Sequence, residues 1–98
     1  MPIARLIYVT VSPDQAQEAE RIWKEECAPL MIRQEGCLSE RLLRGIDTPG
    51  EYISYSEWEN EEAIERYLAS DAHEEIRRHT RGLQGGSRPE VKRYEAAG

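Results

Sequence analysis

Residues 3–11 (IARLIYVTV) run straight into Ser12-Pro13-Asp14-Gln15, and this junction constrains the fold more than any other stretch of the chain. The run is rich in β-branched residues, with Ile7, Val9 and Val11 on one parity and Leu6, Tyr8 and Thr10 on the other, which predicts a strand covered on both faces. The next four residues supply a cap, a proline at the first helical position and a Gln placed to reach back to the cap amide, so a helix must start there. Ala16, Ala19, Trp23, Cys27 and Leu30 then step by three or four and define one stripe facing a sheet. Pro29 removes a helical hydrogen bond, which predicts a kink or an early end, with Gly36 as the final stop. Residues 37–46 (CLSERLLRGI) and 51–59 (EYISYSEWE) flank Asp47-Thr48-Pro49-Gly50, a turn sequence, and read as an antiparallel hairpin.

Asn60 caps a short helix with Glu61 and Glu62 in its first turn and Ala63, Ile64, Tyr67 and Leu68 inward. Ser70-Asp71 starts a further helix to about Arg81, with Ala72, Ile76 and His79 inward and three arginines near its negative end. Residues 82–88 form a flexible connector before a last strand at residues 90–96. The order is β-α-β-β-α-β with the second helix broken, an α+β fold of the ferredoxin-like split type with an antiparallel sheet. Helices on one face leave the other in need of cover. Leu38 and Leu42 share one face of the second strand while Leu43 takes the other, so a second copy of the chain is the simplest cover.

At 98 residues, 39% of them apolar, the chain makes one domain over residues 1–98. No apolar run approaches the roughly 18 residues of a membrane span and no leader pattern opens the sequence, so a cytoplasmic protein without membrane contact is expected. A net charge of -6 repels phosphate polymers and argues against nucleic-acid partners. The charge is uneven: residues 77–98 carry six bases and two acids, and the rest seven bases and seventeen acids. One reading is a solvated face; the other is that the basic tail docks on residues 57–65 of a partner subunit. Cys27 and Cys37 lack metal or redox spacing and read as reduced, inert thiols.

Residues 52–79 (YISYSEWENEEAIERYLASDAHEEIRRH) carry a strand ending in S-x-W-E-N, an acidic helix start and Y-L-A-S-x-A-H. Together with the first strand and helix and the E-G-C-L-S-x-R-L-L hairpin entry, this resembles the antibiotic-biosynthesis monooxygenase family of dimeric α+β barrels. The resemblance implies a homodimer joined through its sheets, with a small pocket in each subunit. It also implies, as in some members, oxidation of polycyclic phenols to quinones by molecular oxygen with no cofactor. An electron-rich phenolate can pass an electron to oxygen itself, so the protein need only bind it, deprotonate it and stabilise the resulting anion.

By alternation Trp58 shares a face with Tyr52, Ser54 and Ser56, an aromatic and hydroxyl-bearing wall. It is either a core tryptophan or a plate for a flat substrate. His73 lies at the third residue of its helix, where the positive end of the dipole disfavours the imidazolium and leaves a neutral ring to accept a phenolic proton; alternatively it fixes the bend between helices. Tyr67 is a core or pocket residue, and Arg77 a solvated dipole partner or an anion stabiliser. His73 and His79 stand about 240° apart on the helix, which disfavours a two-histidine metal site.

The haem-degrading branch of this family carries an Asn, a Trp and a His where this chain offers Ile7, Tyr67 and Arg77, and arginine cannot ligate iron. Met-Pro-Ile-Ala also opens small tautomerases, in which Pro2 would act as a base; an ordinary strand start is the competing reading. No phosphate loop is legible, since Gly85-Gly86 lacks a strand-to-helix context. The leading expectation is a cofactor-independent monooxygenase for a phenolic, quinol or polycyclic aromatic compound, with His73, Trp58 and Arg77 catalytic and Tyr52, Ser54, Ser56 and Tyr67 binding substrate. The alternative is a non-catalytic barrel that holds a small apolar molecule or serves in a stress response.

Overall fold

The first run folds as strand β1 (Ile3–Thr10), and the turn residues after it open a helical layer, as their chemistry requires. The computed structural model describes residues 2–81 and 89–97; the expected connector lies outside the described residues. A 3-10 turn (Pro13–Gln15) leads into α1 (Ala16–Ile22), a π-helical turn (Trp23–Cys27) and α2 (Ala28–Ile32). The hairpin is β2 (Cys37–Arg44) and β3 (Glu51–Trp58), followed by α3 (Glu61–Leu68), α4 (Asp71–Thr80) and β4 (Glu90–Glu95). The strands form one antiparallel sheet in the order β2-β3-β1-β4.

Local chemistry sets most boundaries. Asn60 Oδ1 accepts from the Ala63 amide at 2.9 Å and Ser70 Oγ from the His73 amide at 3.2 Å, so both helices of the second half begin where a side chain satisfies a free amide. The first helix departs from expectation, because Ser12 Oγ donates to Gln15 Oε1 at 3.2 Å and neither side chain caps the backbone.

Pro29 does not end the helix, and the irregularity falls just before it as a π-helical turn. The Ala28 amide donates to the Trp23 carbonyl, five residues back, and this wider turn lets the proline enter at the start of α2, where its missing N–H costs little. The π turn also shifts the phase of the stripe, so Met31 rather than Leu30 joins the core with Trp58, Ala63, Ile64 and Tyr67. The helix stops at Ile32, before Gly36, whose φ of 87° serves the turn into β2 and whose carbonyl accepts from the Glu59 amide at 2.8 Å.

In the sheet, Arg5 pairs with Ser56, Ile7 with Ser54 and Val9 with Tyr52, all on the side of the helices. Leu38 is the extra residue of a bulge between Cys37 and Ser39 and is 48% exposed, so it does not share a face with Leu42 as alternation suggested. Leu42 faces the helices, and Leu43 looks out from the open side with Leu6, Tyr8, Ile53 and Tyr55. The Arg93 guanidinium lies 3.4 Å from Glu65 of its own chain, so part of the basic tail is neutralised within the subunit.

Candidate functional site

Between helices and sheet lies a cavity of about 390 Å³. The alternation of β1 gives it an apolar floor of Ile7, Val9 and Val11 beside Arg5, while β3 contributes Tyr52 and Ser54. The π turn turns Trp23 and Cys27 toward it, α3 adds Tyr67, and α4 adds His73, Ile76 and Arg77. Because Ser70 fixes the His73 amide, the cap also fixes where the imidazole enters the wall.

The ring centroids of Tyr67 and His73 are 5.0 Å apart with planes 71° apart, and Tyr67 stacks on Trp58 at 4.9 Å. Burial, then the charges of Arg5 and Arg77, hold the His73 pKa below its ordinary value, with the Leu68 backbone opposing, and this favours a neutral ring. Burial pushes the Tyr67 phenol up to about 12, with Arg5 opposing, so it stays protonated. The same cause raises the Cys27 and Cys37 thiols to about 11, as expected of inert cysteines.

His73, Tyr67, Arg77, Tyr52 and Ser54 therefore line one space. Trp58 and Ser56 do not. Trp58 has no exposed surface, and its indole donates to Ser56 Oγ at 2.9 Å, while that hydroxyl points to the Arg5 carbonyl at 3.4 Å. The expected plate is thus a core residue backing Tyr67, because the end of β3 lies beneath α3. Tyr52 reaches the cavity with its ring alone, since its hydroxyl donates to Glu20 at 2.5 Å and Glu20 is held by Arg44 at 2.6 Å. Ser54 Oγ accepts from the Trp23 indole at 3.4 Å.

Pro2 is exposed and does not line the cavity, so the burial that would tune a catalytic amine is missing. Ile7 and Arg77 do line it, and the arginine brings no lone pair for iron. His79 sits 3.7 Å from Glu26 and outside the cavity. Among the described residues no three His, Cys, Asp or Glu side chains are grouped to hold a metal ion, and no helix is long and apolar enough to cross a membrane.

Sequence reading missed Arg5 and Trp23. Arg5 is only 6% exposed, and its Nε is buried without a hydrogen-bond partner. Its signal was parity: it shares the face of Ile7, Val9 and Val11, where an arginine is out of place. Trp23 belongs to the stripe expected to face the sheet, and the gap above β1 that it borders is not written in the stripe.

The fold is thus a split α+β domain whose cavity, between sheet and helices, is walled by apolar side chains and a few convergent polar ones. The antibiotic biosynthesis monooxygenase family model matches residues 2–79, and the chain belongs to that family. Solved structures with this fold include a proposed antibiotic biosynthesis monooxygenase of Bordetella bronchiseptica, 22% identical over 98% of this chain and 97% of that one, with a TM-score of 0.88. A second, from Caulobacter crescentus, is 20% identical over 99% and 91% of the two chains, with a TM-score of 0.85. A conserved protein of Methanosarcina mazei is 20% identical over 96% and 91%, also with a TM-score of 0.85. No curated protein gives a significant match. At these identities the likeness is one of fold.

Proposed function

We propose that the chain is a monooxygenase that acts without a cofactor on a phenolic, quinol or polycyclic aromatic compound, with His73 as the general base. The observation that carries this reading is the His73 imidazole, kept neutral by burial and two nearby arginines, in the wall of a largely apolar cavity. At about 390 Å³ the cavity falls in the range of roughly 300–1,000 Å³ typical of small-molecule sites. Tyr67, Ser54 and the ring of Tyr52 would position the substrate, and Arg77 would stabilise developing negative charge.

In this scheme His73 takes the phenolic proton and the phenolate supplies the electrons to molecular oxygen. One oxygen atom becomes a ring carbonyl in place of two hydrogens, and the other leaves as water. The family assignment supports the reaction class. The open sheet face, with Leu6, Tyr8, Ile53 and Leu43, supports pairing of two copies through their sheets.

The test is oxygen uptake with anthrone or hydroquinone in air-saturated buffer, followed by product identification. Uptake should fall by about 10²- to 10⁴-fold in His73→Ala, the usual worth of a positioned base. Uptake no higher in the wild type than in that variant overturns the proposal, and an unaltered ligand recovered after aerobic incubation favours a binding protein.

A further inference from the structure

We infer that the aromatic ligand of this cavity carries a carboxylate, and that Arg5 is the residue that receives it. The argument starts from an unpaired charge. Arg5 lies on the central strand β1, is 94% buried by its 6% exposure, and lines the cavity. Its Nε has no partner, and no side-chain hydrogen bond joins Arg5 to any described residue. A guanidinium cannot shed its charge by losing a proton, and a buried cation without a counter-charge is strongly disfavoured.

Among the described residues no carboxylate forms an ion pair with Arg5: Glu40, across Ser56 in the same row of the sheet, makes none with it, and its own Oε2 is buried without a partner. Among the described residues the cavity wall contains Arg5, Arg77 and Arg81 and neither an aspartate nor a glutamate. Arg93, opposite Arg5 in the sheet register, adds a further cation, and Glu65 on that side is already engaged by Arg93 at 3.4 Å. A ligand carboxylate would supply the partner that Arg5 lacks among the described residues.

The planar fork of a guanidinium matches the two oxygens of a carboxylate, and a carboxylate on an aromatic ring occupies little of a cavity this size. Tyr67 lines the same cavity as Arg5, whose pKa burial depresses while the phenol opposes the shift. The ligand is then a hydroxyaryl carboxylate that presents its hydroxyl to His73 and its carboxylate to Arg5. Only the hydroxyl half of that statement rests on the oxygenase reading.

The two halves separate in an anaerobic titration with 3-hydroxy-2-naphthoate and 2-naphthol, read by ligand fluorescence. The carboxylated probe should bind about tenfold or more tightly than the neutral one, as a charge-assisted bidentate pair allows. Arg5→Met should abolish that preference while 2-naphthol binding stays within about threefold, and Arg5→Lys should keep part of it. Free Arg5→Met should also melt no lower than the wild type, because it loses an unpaired buried charge, whereas an arginine that merely props the fold would be missed. If Arg5→Met does not fold, that structural role is established and the proposal is overturned. Equal wild-type affinities, or a preference unchanged in Arg5→Met, also overturn it. An Arg5-dependent preference without oxygen uptake in air supports the carboxylate site and sinks the oxygenase reading; uptake with 2-naphthol and no preference does the reverse.

Discussion

Tyr67 stands between Trp58 and His73, stacked on the first at 4.9 Å and edge-on to the second at 5.0 Å. It therefore transmits the rigidity of the buried core to the imidazole, and its own phenol, pushed up to about 12, is a poor base. His73 has no such barrier. Its pKa lies below the ordinary 6.5, so the ring stays neutral at pH values where a free imidazole has begun to charge. The acid limb of the rate against pH should accordingly fall below pH 6.5, and Arg77→Gln should move it upward by removing one of the charges that depress the pKa. The same depression makes the unfolded chain bind a proton more readily than the native one, so this contribution to stability is present above 6.5 and is lost as the pH falls from there through the native pKa. A pH–rate profile of both proteins checks the direction.

Glu20 links the helical layer to the start of β3 and the end of β2 by accepting from the Tyr52 hydroxyl and pairing with Arg44, and these two partners, Arg44 first, hold its pKa down to about 2. Tyr52→Phe should lower stability by about 1 kcal/mol, the net worth of one such hydrogen bond. Glu20→Gln should be less stable than the wild type near neutrality, and the difference should shrink as the pH falls from 4.5 towards about 2, where the wild-type carboxylate gains its proton. Chemical denaturation at several pH values measures both.

The residues that made the fold legible are those whose effect is local. Asn60 and Ser70 cap because a side-chain oxygen three residues before a free amide can do little else, and the alternation of residues 52–58 put Tyr52, Ser54, Ser56 and Trp58 on one face, as found. What alternation cannot give is distance along the strand. The cavity ends before Ser56, so two of those four residues fall outside it. The π turn before Pro29 and the bulge at Leu38 each insert a residue into a regular period, and a period read from sequence has no term for an insertion. Arg5 escaped notice for another reason: one charge in an apolar run signals solvent unless the strand is known to be central, and that depends on β3 and β4 pairing from either side.

Gly36 has a φ of 87°, and a Cβ built there would lie 2.4 Å from the Cβ of Ala63, itself fully buried at the start of α3. Gly36→Ala should cost about 2 kcal/mol or more, combining backbone strain with a contact that the core cannot relieve. Paired with Ala63→Gly, which removes the clash but leaves the strain, part of the loss should return; a double-mutant cycle in a denaturant titration separates the two.

The open side of the sheet carries Leu6, Tyr8, Ile53, Tyr55, Leu43 and Tyr94, with Leu43 40% and Tyr94 48% exposed. Arg41 and Lys92 lie over the rings of Tyr55 and Tyr8 at 5.0 and 5.5 Å, which shields part of this surface while Leu6 and Ile53 stay half-buried and Leu43 exposed. A contiguous apolar sheet face in water marks an association surface, and twofold pairing would cover it with its own kind. A charge at its centre should prevent that without touching the cavity on the other side. Ile53→Asp is therefore expected to sediment as a single protomer at concentrations where the wild type is a dimer, and to retain affinity for an aromatic probe in proportion to the folded fraction. A wild-type chain that sediments as a stable protomer at micromolar concentration would show that the face is tolerated bare and that the cavity is complete within one subunit.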